Sequence, residues 1–121
     1  MDSELRDLLL RSMPPEIINQ TVAMNSLSID RLKGIARALA ATSHGDTAEI
    51  GCKTGATSRL MALANDGRRH WVCDTFHGLA DCGERDGGLR NGLFACPQAI
   101  VEHLLNNIPN IIIVPGYFPD S

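Results

Sequence analysis

An α/β fold, a Rossmann-like doubly wound parallel sheet, is what this sequence predicts, and three observations carry the prediction. Three short strand-like runs, Thr47 to Ile50, His70 to Thr75 and Ile111 to Val114, alternate with segments whose apolar residues recur at helical spacing. The last run is apolar without interruption, as a strand is when helices cover both faces of a parallel sheet. A glycine-containing turn follows the first run and opens into a helical segment, the kind of βα junction at which such sheets bind ligands. Only about three strands are present, so the sheet is expected to be truncated, with helices leading in.

The elements follow in order. Leu5, Leu8 and Leu9 predict a helix over residues 4 to 12, which Pro14-Pro15 stops. Ile29, Leu32, Ile35, Ala36 and Leu39 give an amphipathic helix reaching Ala41, with Ser28 as its N-cap and Gly45 beyond its end. Thr47 to Ile50 is the first strand, Thr57 to Asn65 the next helix, and Asp66-Gly67 closes it. His70 to Thr75 is the second strand, in which Trp71 reads as core. Residues 77 to 92 hold five glycines and read as a loop. Its acids Asp81, Glu84 and Asp86 lack the calcium-loop spacing, which favours a lid. Pro97 opens a helix with Ile100, Val101, Leu104 and Leu105, and Pro109-Asn110 leads into the last strand. The chain thus divides into an N-terminal helical arm, 1–27, and a partial α/β domain, 28–121.

Composition narrows the function classes. The 121 residues are 44% hydrophobic, enough for one core, and the net charge of −3 with no basic stripe argues against a nucleic-acid partner. The acidic start lacks the basic region of a signal peptide, and no run approaches the length needed to cross a bilayer, so a cytoplasmic protein without a membrane partner is expected. Cys52, Cys73, Cys82 and Cys96 form no C-x-x-C pair and read as reduced thiols, and no clustering with His44, His70, His77 or His103 suggests a metal site.

The chemistry concentrates in Glu49-Ile50-Gly51-Cys52-Lys53-Thr54-Gly55 and the helix start that follows. Gly51 permits a sharp turn and a close ligand approach, Gly55 does the same at the helix start, and free N–H groups there attract an anion such as a carboxylate. A dinucleotide fingerprint would need glycines where Lys53 and Ala56 stand, and a P-loop would need a lysine that Gly55-Ala56-Thr57 lacks. An acid before the first glycine suits a ligand carrying both ammonium and carboxylate, with Glu49 on the ammonium. S-adenosylmethionine has both groups. Asp74, ending the second strand some 20 residues on, is positioned to accept hydrogen bonds from a ribose diol. Taken singly, Glu49 and Asp74 could be strand-end caps. Jointly with the glycines they form one constellation. His77 near Asp74 and Cys52 within the turn read as bystanders rather than as base and nucleophile.

Ala48-Glu49-Ile50-Gly51 through Gly55, then His70-Trp71-Val72-Cys73-Asp74-Thr75-Phe76-His77-Gly78-Leu79, and finally Gly116-Tyr117-Phe118-Pro119-Asp120-Ser121, resemble the macrocin O-methyltransferase family. That family shows E-x-G-V-x-x-G-G, V-W-V-A-D-S-F-x-G-L-P and G-x-F-x-D-T in these places. The resemblance covers residues 28–121; Ala56 departs from the family's second glycine and Ala80 from its proline. It implies a class I S-adenosylmethionine-dependent fold in which Gly51, Gly55, Thr57 and Ser58 hold the methionine part and Asp74 holds the ribose. Thr75, Phe76, Tyr117 and Phe118 would then lie near the adenine.

The expected function is therefore the S-adenosylmethionine-binding portion of an O-methyltransferase acting on a hydroxyl of a sugar or other small natural product. By the resemblance, magnesium and the general base belong to residues beyond the third strand, so the chain is expected to be incomplete and inactive alone. Alternatives are a non-catalytic cofactor-binding remnant and a nucleotide-binding domain of oxidoreductase type. An uncovered edge on the first strand leads to an expected homo-oligomer.

Overall fold

The computed structural model describes residues 1–78, 92 and 96–116. Its elements run α1 (Ser3–Leu9), α2 (Pro15–Ala23), α3 (Ile29–Ala41), β1 (Thr47–Ile50), α4 (Ala56–Ala64), β2 (His70–Asp74), α5 (Gln98–Leu104) and β3 (Ile111–Pro115). The strands form one parallel sheet in the order β1-β2-β3, with Thr47 beside His70 and His70 beside Ile111. This is the expected α/β, Rossmann-like arrangement with helices leading in.

Local chemistry explains the helix starts. Ser28 caps α3 by accepting the Arg31 N–H at 3.3 Å, and Asp2 caps α1 by accepting the Leu5 N–H at 3.0 Å. Helix α1 ends at Leu9, short of the expected residue 12 and before Pro14-Pro15, and the proline pair instead begins α2, which the sequence reading does not anticipate. Pro15 occupies the first helical position, where a missing N–H leaves no bond unmade.

The 1–27 segment is docked on the rest of the chain. Leu5, Leu9, Met13 and Ile18 share a core with Leu32 and Ala36 of α3 and Leu60 of α4. Lys33 reaches Asp2 at 2.8 Å and Glu4 at 3.5 Å, adding a polar rim. A second core lies under the sheet, where Cys52, Val72, Phe76, Cys96, Val101 and Leu105 pack with Ile108, Ile111 and Ile113.

Both crossover helices cover one face. Val101 and Leu105 of α5 meet Val72, Ile111 and Ile113, while Ser58 of α4 reaches Glu49 and His70 on the same side of the sheet. Two right-handed crossovers that advance in the same direction require this. By the alternation of the pleat, Ala48, Ile50, Trp71, Cys73, Ile112 and Val114 share the opposite face. None of these six belongs to either core, and Ile50 is 58% exposed. Trp71, read as core from the sequence, stands half-buried there and donates its indole N–H to Asp46 at 2.8 Å. The cover expected on both faces is thus present on one among the described residues. β1 has a strand neighbour on one side, the geometry on which the expected self-association rests.

Leu60 is fully buried where α4 joins the N-terminal helices, so Leu60→Ala should cost about 2–5 kcal/mol in urea unfolding. Ile50→Ala should change stability by well under half as much. Equal losses would contradict this division of the core.

Candidate functional site

The glycine turn grows directly out of the ladder. Gly51 N–H still donates to Cys73 O at 2.7 Å, and the chain then bends through positive φ at Gly51 (82°), Lys53 (53°) and Gly55 (93°). Gly55 N–H closes the bend on Cys52 O at 2.9 Å, and α4 starts at the next residue. Gly55 is required twice over, because a Cβ there would lie 3.2 Å from Val101 Cγ1 in addition to facing the left-handed backbone. Gly51 differs: a Cβ would meet nothing within 4 Å, so the space above it is open. The N–H groups of Ala56 and Thr57, in the first turn of α4, have no intrahelical acceptor.

Asp74 holds this turn. Its Oδ2 accepts the backbone N–H of Cys52 at 2.8 Å and of Lys53 at 3.3 Å, and its Oδ1 accepts the N–H of Phe76 at 2.9 Å. One carboxylate therefore ties the end of β2 to the turn after β1 and sets the path beyond β2. A carboxylate offers about four lone-pair sites. Three are in use, which leaves Oδ1 able to accept one further hydroxyl.

Glu49 faces α4. Its Oε1 accepts the Ser58 hydroxyl at 2.7 Å, and burial, followed by the like charge of Asp74, raises its pKa above the ordinary carboxylate value. Ser58 is wholly buried and also contacts His70 Nε2 at 2.9 Å, so its side chain is engaged beneath the turn. The Thr57 hydroxyl donates to Asn25 Oδ1 at 2.7 Å, and Arg59 donates to Thr21 Oγ1 at 2.7 Å. What Thr57 and Ser58 present to the turn is backbone.

Asn25, Thr21 and His70 carry no motif signal, and sequence reasoning did not single them out for this site. Asn25 follows an unanticipated helix, and His70 reads as a solvated strand entrance beside Arg68-Arg69. The alternation of β2, which sets His70 on the Val72 side, is the one signal that could have found it.

Thr75 and Phe76 lie where β2 ends. With His77, Pro97, Gln98 and Pro115 they border an open depression of about 850 Å³ at the C-terminal ends of β2 and β3. Gly51 and Gly55 are not among its described wall residues. The Phe76 ring is 6% exposed and packs in the core under the sheet, on a backbone with φ of 64°. Cys52, buried in the same cluster, has its thiol pushed up to about 12 by burial and then by Asp74, so it stays protonated and unreactive. Tyr117, Phe118, Leu79, Ala80, Cys82 and the acidic residues Asp81, Glu84 and Asp86 lie outside the described residues.

No protein-family model matches this chain, and neither does any curated protein sequence. The motifs quoted above therefore stand on their own residues. Among the described residues, no three His, Cys, Asp or Glu side chains gather as a metal ion would need. What the arrangement offers chemically is a glycine turn, exposed at Gly51, Lys53 and Thr54, that leads into helical N–H groups without an intrahelical acceptor, a fixed carboxylate with one acceptor site left, and a half-buried second carboxylate.

His70 adds a pH signature. Fully buried, its ring is pushed down from 6.5 to about 4 by desolvation. As pH falls below about 6.5 the unfolded chain takes up a proton here that the folded chain refuses, so stability declines until the folded ring titrates near 4. Glu49, shifted upward by burial and then by the charge of Asp74, acts in the opposite sense. Urea titrations at pH 7 and pH 4.5 should show the wild type losing about 2–3 kcal/mol more than His70→Gln. An equal loss in both would contradict a neutral buried ring.

Proposed function

We propose that this chain binds S-adenosylmethionine at the turn Gly51 to Thr57, as the cofactor-binding part of an O-methyltransferase whose acceptor is a hydroxyl of a sugar or other small natural product. One observation carries the reading: the Asp74 carboxylate is bonded to the backbone of the glycine turn and keeps one acceptor site, while the space above Gly51 is open. The fit is chemical. Unpaired N–H groups at the start of α4 suit the ligand carboxylate, Glu49 suits its ammonium, and the remaining lone pair of Asp74 suits one ribose hydroxyl. Thr75 and Phe76, which the resemblance assigns to the adenine, both border the depression at the strand ends, and this supports the reading.

The ligand, when bound, supplies an electrophilic methyl group on a sulfonium. The chain's own contribution is orientation: the turn fixes the aminoacyl end, Asp74 fixes the ribose, and the sheet ends fix the distance between them. The magnesium and general base of the resembled family have no assigned residues here and remain part of the proposal only through that resemblance.

Calorimetric titration with S-adenosylhomocysteine tests the reading. The wild type should bind. Gly51→Ala should weaken binding at least tenfold, because its Cβ would stand in the open space above the turn, and should cost about 1–2 kcal/mol of stability for the left-handed backbone. Asp74→Ala should abolish binding. Absence of heat with wild type at millimolar ligand would defeat the proposal, and unchanged binding by Asp74→Ala would defeat both the ribose assignment and the part of Asp74 in holding the turn.

A further inference from the structure

A line of buried polar side chains runs from the start of β3, past the end of α4 and along the covered face of the sheet, to Glu49. Asn65, Ser58 and His70 are each 0% exposed, and among the described residues no buried side-chain nitrogen or oxygen lacks a partner. Such a chain has a direction, and backbone carbonyls set it here.

At one end, Asn110 Nδ2 lies 2.7 Å from Arg68 O, 3.0 Å from Ala62 O and 3.1 Å from Asn65 Oδ1. Asn65 Nδ2 lies 2.9 Å from Arg68 O and 2.9 Å from Thr47 Oγ1. Turning either amide over would set carbonyl oxygen against carbonyl oxygen, so both nitrogens must face these acceptors. Thr47 Oγ1 consequently receives a hydrogen from Asn65, and its own hydrogen goes to His70 Nδ1 at 2.7 Å. With Nδ1 accepting, the ring proton sits on Nε2 and is donated to Ser58 Oγ at 2.9 Å. Ser58 then gives its hydrogen to Glu49 Oε1 at 2.7 Å. The opposite order would leave the Thr47 hydrogen facing the Asn65 amide hydrogens.

We infer that Asn110, Asn65, Thr47, His70 and Ser58 form a one-way hydrogen-bond relay that holds His70 as the neutral Nε2–H tautomer, aims the Ser58 hydroxyl hydrogen at Glu49, and so keeps Glu49 as a carboxylate. His70 and Ser58 are positioning residues for Glu49. A relay of this kind opposes the two effects that favour the protonated acid, burial and the neighbouring charge of Asp74. The low proton affinity of the buried His70 ring agrees with a neutral tautomer. Resting on the ligand reading above, the carboxylate held in this way is the group that meets the ligand's ammonium, which makes the site selective for amines over neutral isosteres.

Nitrogen NMR of the imidazole rings in the 15N-labelled wild type at pH 7 tests the relay. The expected spectrum for His70 has a protonated Nε2 and an unprotonated Nδ1; a protonated Nδ1, or a charged ring, would overturn the relay. Carboxyl 13C titration of Glu49 gives the second reading. Ser58→Ala should raise its midpoint by about one unit relative to wild type, and an unchanged midpoint would equally overturn it. Neither measurement needs a ligand. An Nε2–H ring in a chain that does not bind S-adenosylhomocysteine would support the relay and remove the ligand reading, whereas binding with an Nδ1–H ring would do the reverse.

Discussion

The carboxylate of Asp74 is the constraint on which the candidate site depends. A four-residue strand ending in a turn with three positive φ angles has little of its own to hold that turn in one shape. Asp74 supplies what is missing, accepting N–H groups from both sides of the gap between β1 and β2. Charge-assisted bonds of this kind are among the stronger ones available to a backbone. The same bonds limit Asp74, because a residue that props the turn has only one acceptor site left for a ligand.

Beneath the turn, a second layer of polar contacts links elements far apart in sequence. Glu49 leans on α4 through Ser58, Ser58 on β2 through His70, and His70 on β1 through Thr47. Asn25 and Thr21 connect α2 to the first turn of α4, so the N-terminal helices brace the helix whose start forms the site. The two layers meet at Glu49 and Asp74, where burial and then the like charge of Asp74 raise the Glu49 proton affinity.

Much of the fold was legible in the sequence, for definable reasons. Ser28 and the Ile29 to Ala41 periodicity place α3 with its cap, and the β-branched run at Ile111 places β3. Helix α2 was not legible because Pro14-Pro15 signals a stop more strongly than a start. That one face of the sheet has no covering helix among the described residues was hidden for a different reason: strand composition reports apolarity, and Trp71 or Ile112 would look the same under a helix as without one. In the candidate site, Glu49, Gly51, Gly55 and Asp74 are brought together as their spacing implies. The inward engagement of Ser58 and the part taken by His70 depend on which face of the pleat looks at α4, which no local motif encodes.

Amide shift mapping with 15N-labelled protein and S-adenosylhomocysteine tests the account most directly, since it reads each element of the site at once. Perturbations should gather at Gly51, Gly55, Ala56, Thr57, Asp74 and Thr75, while Trp71 and Ile112, on the face with no covering helix among the described residues, stay still. Perturbations confined to the uncovered face, or none at saturating ligand, would contradict it.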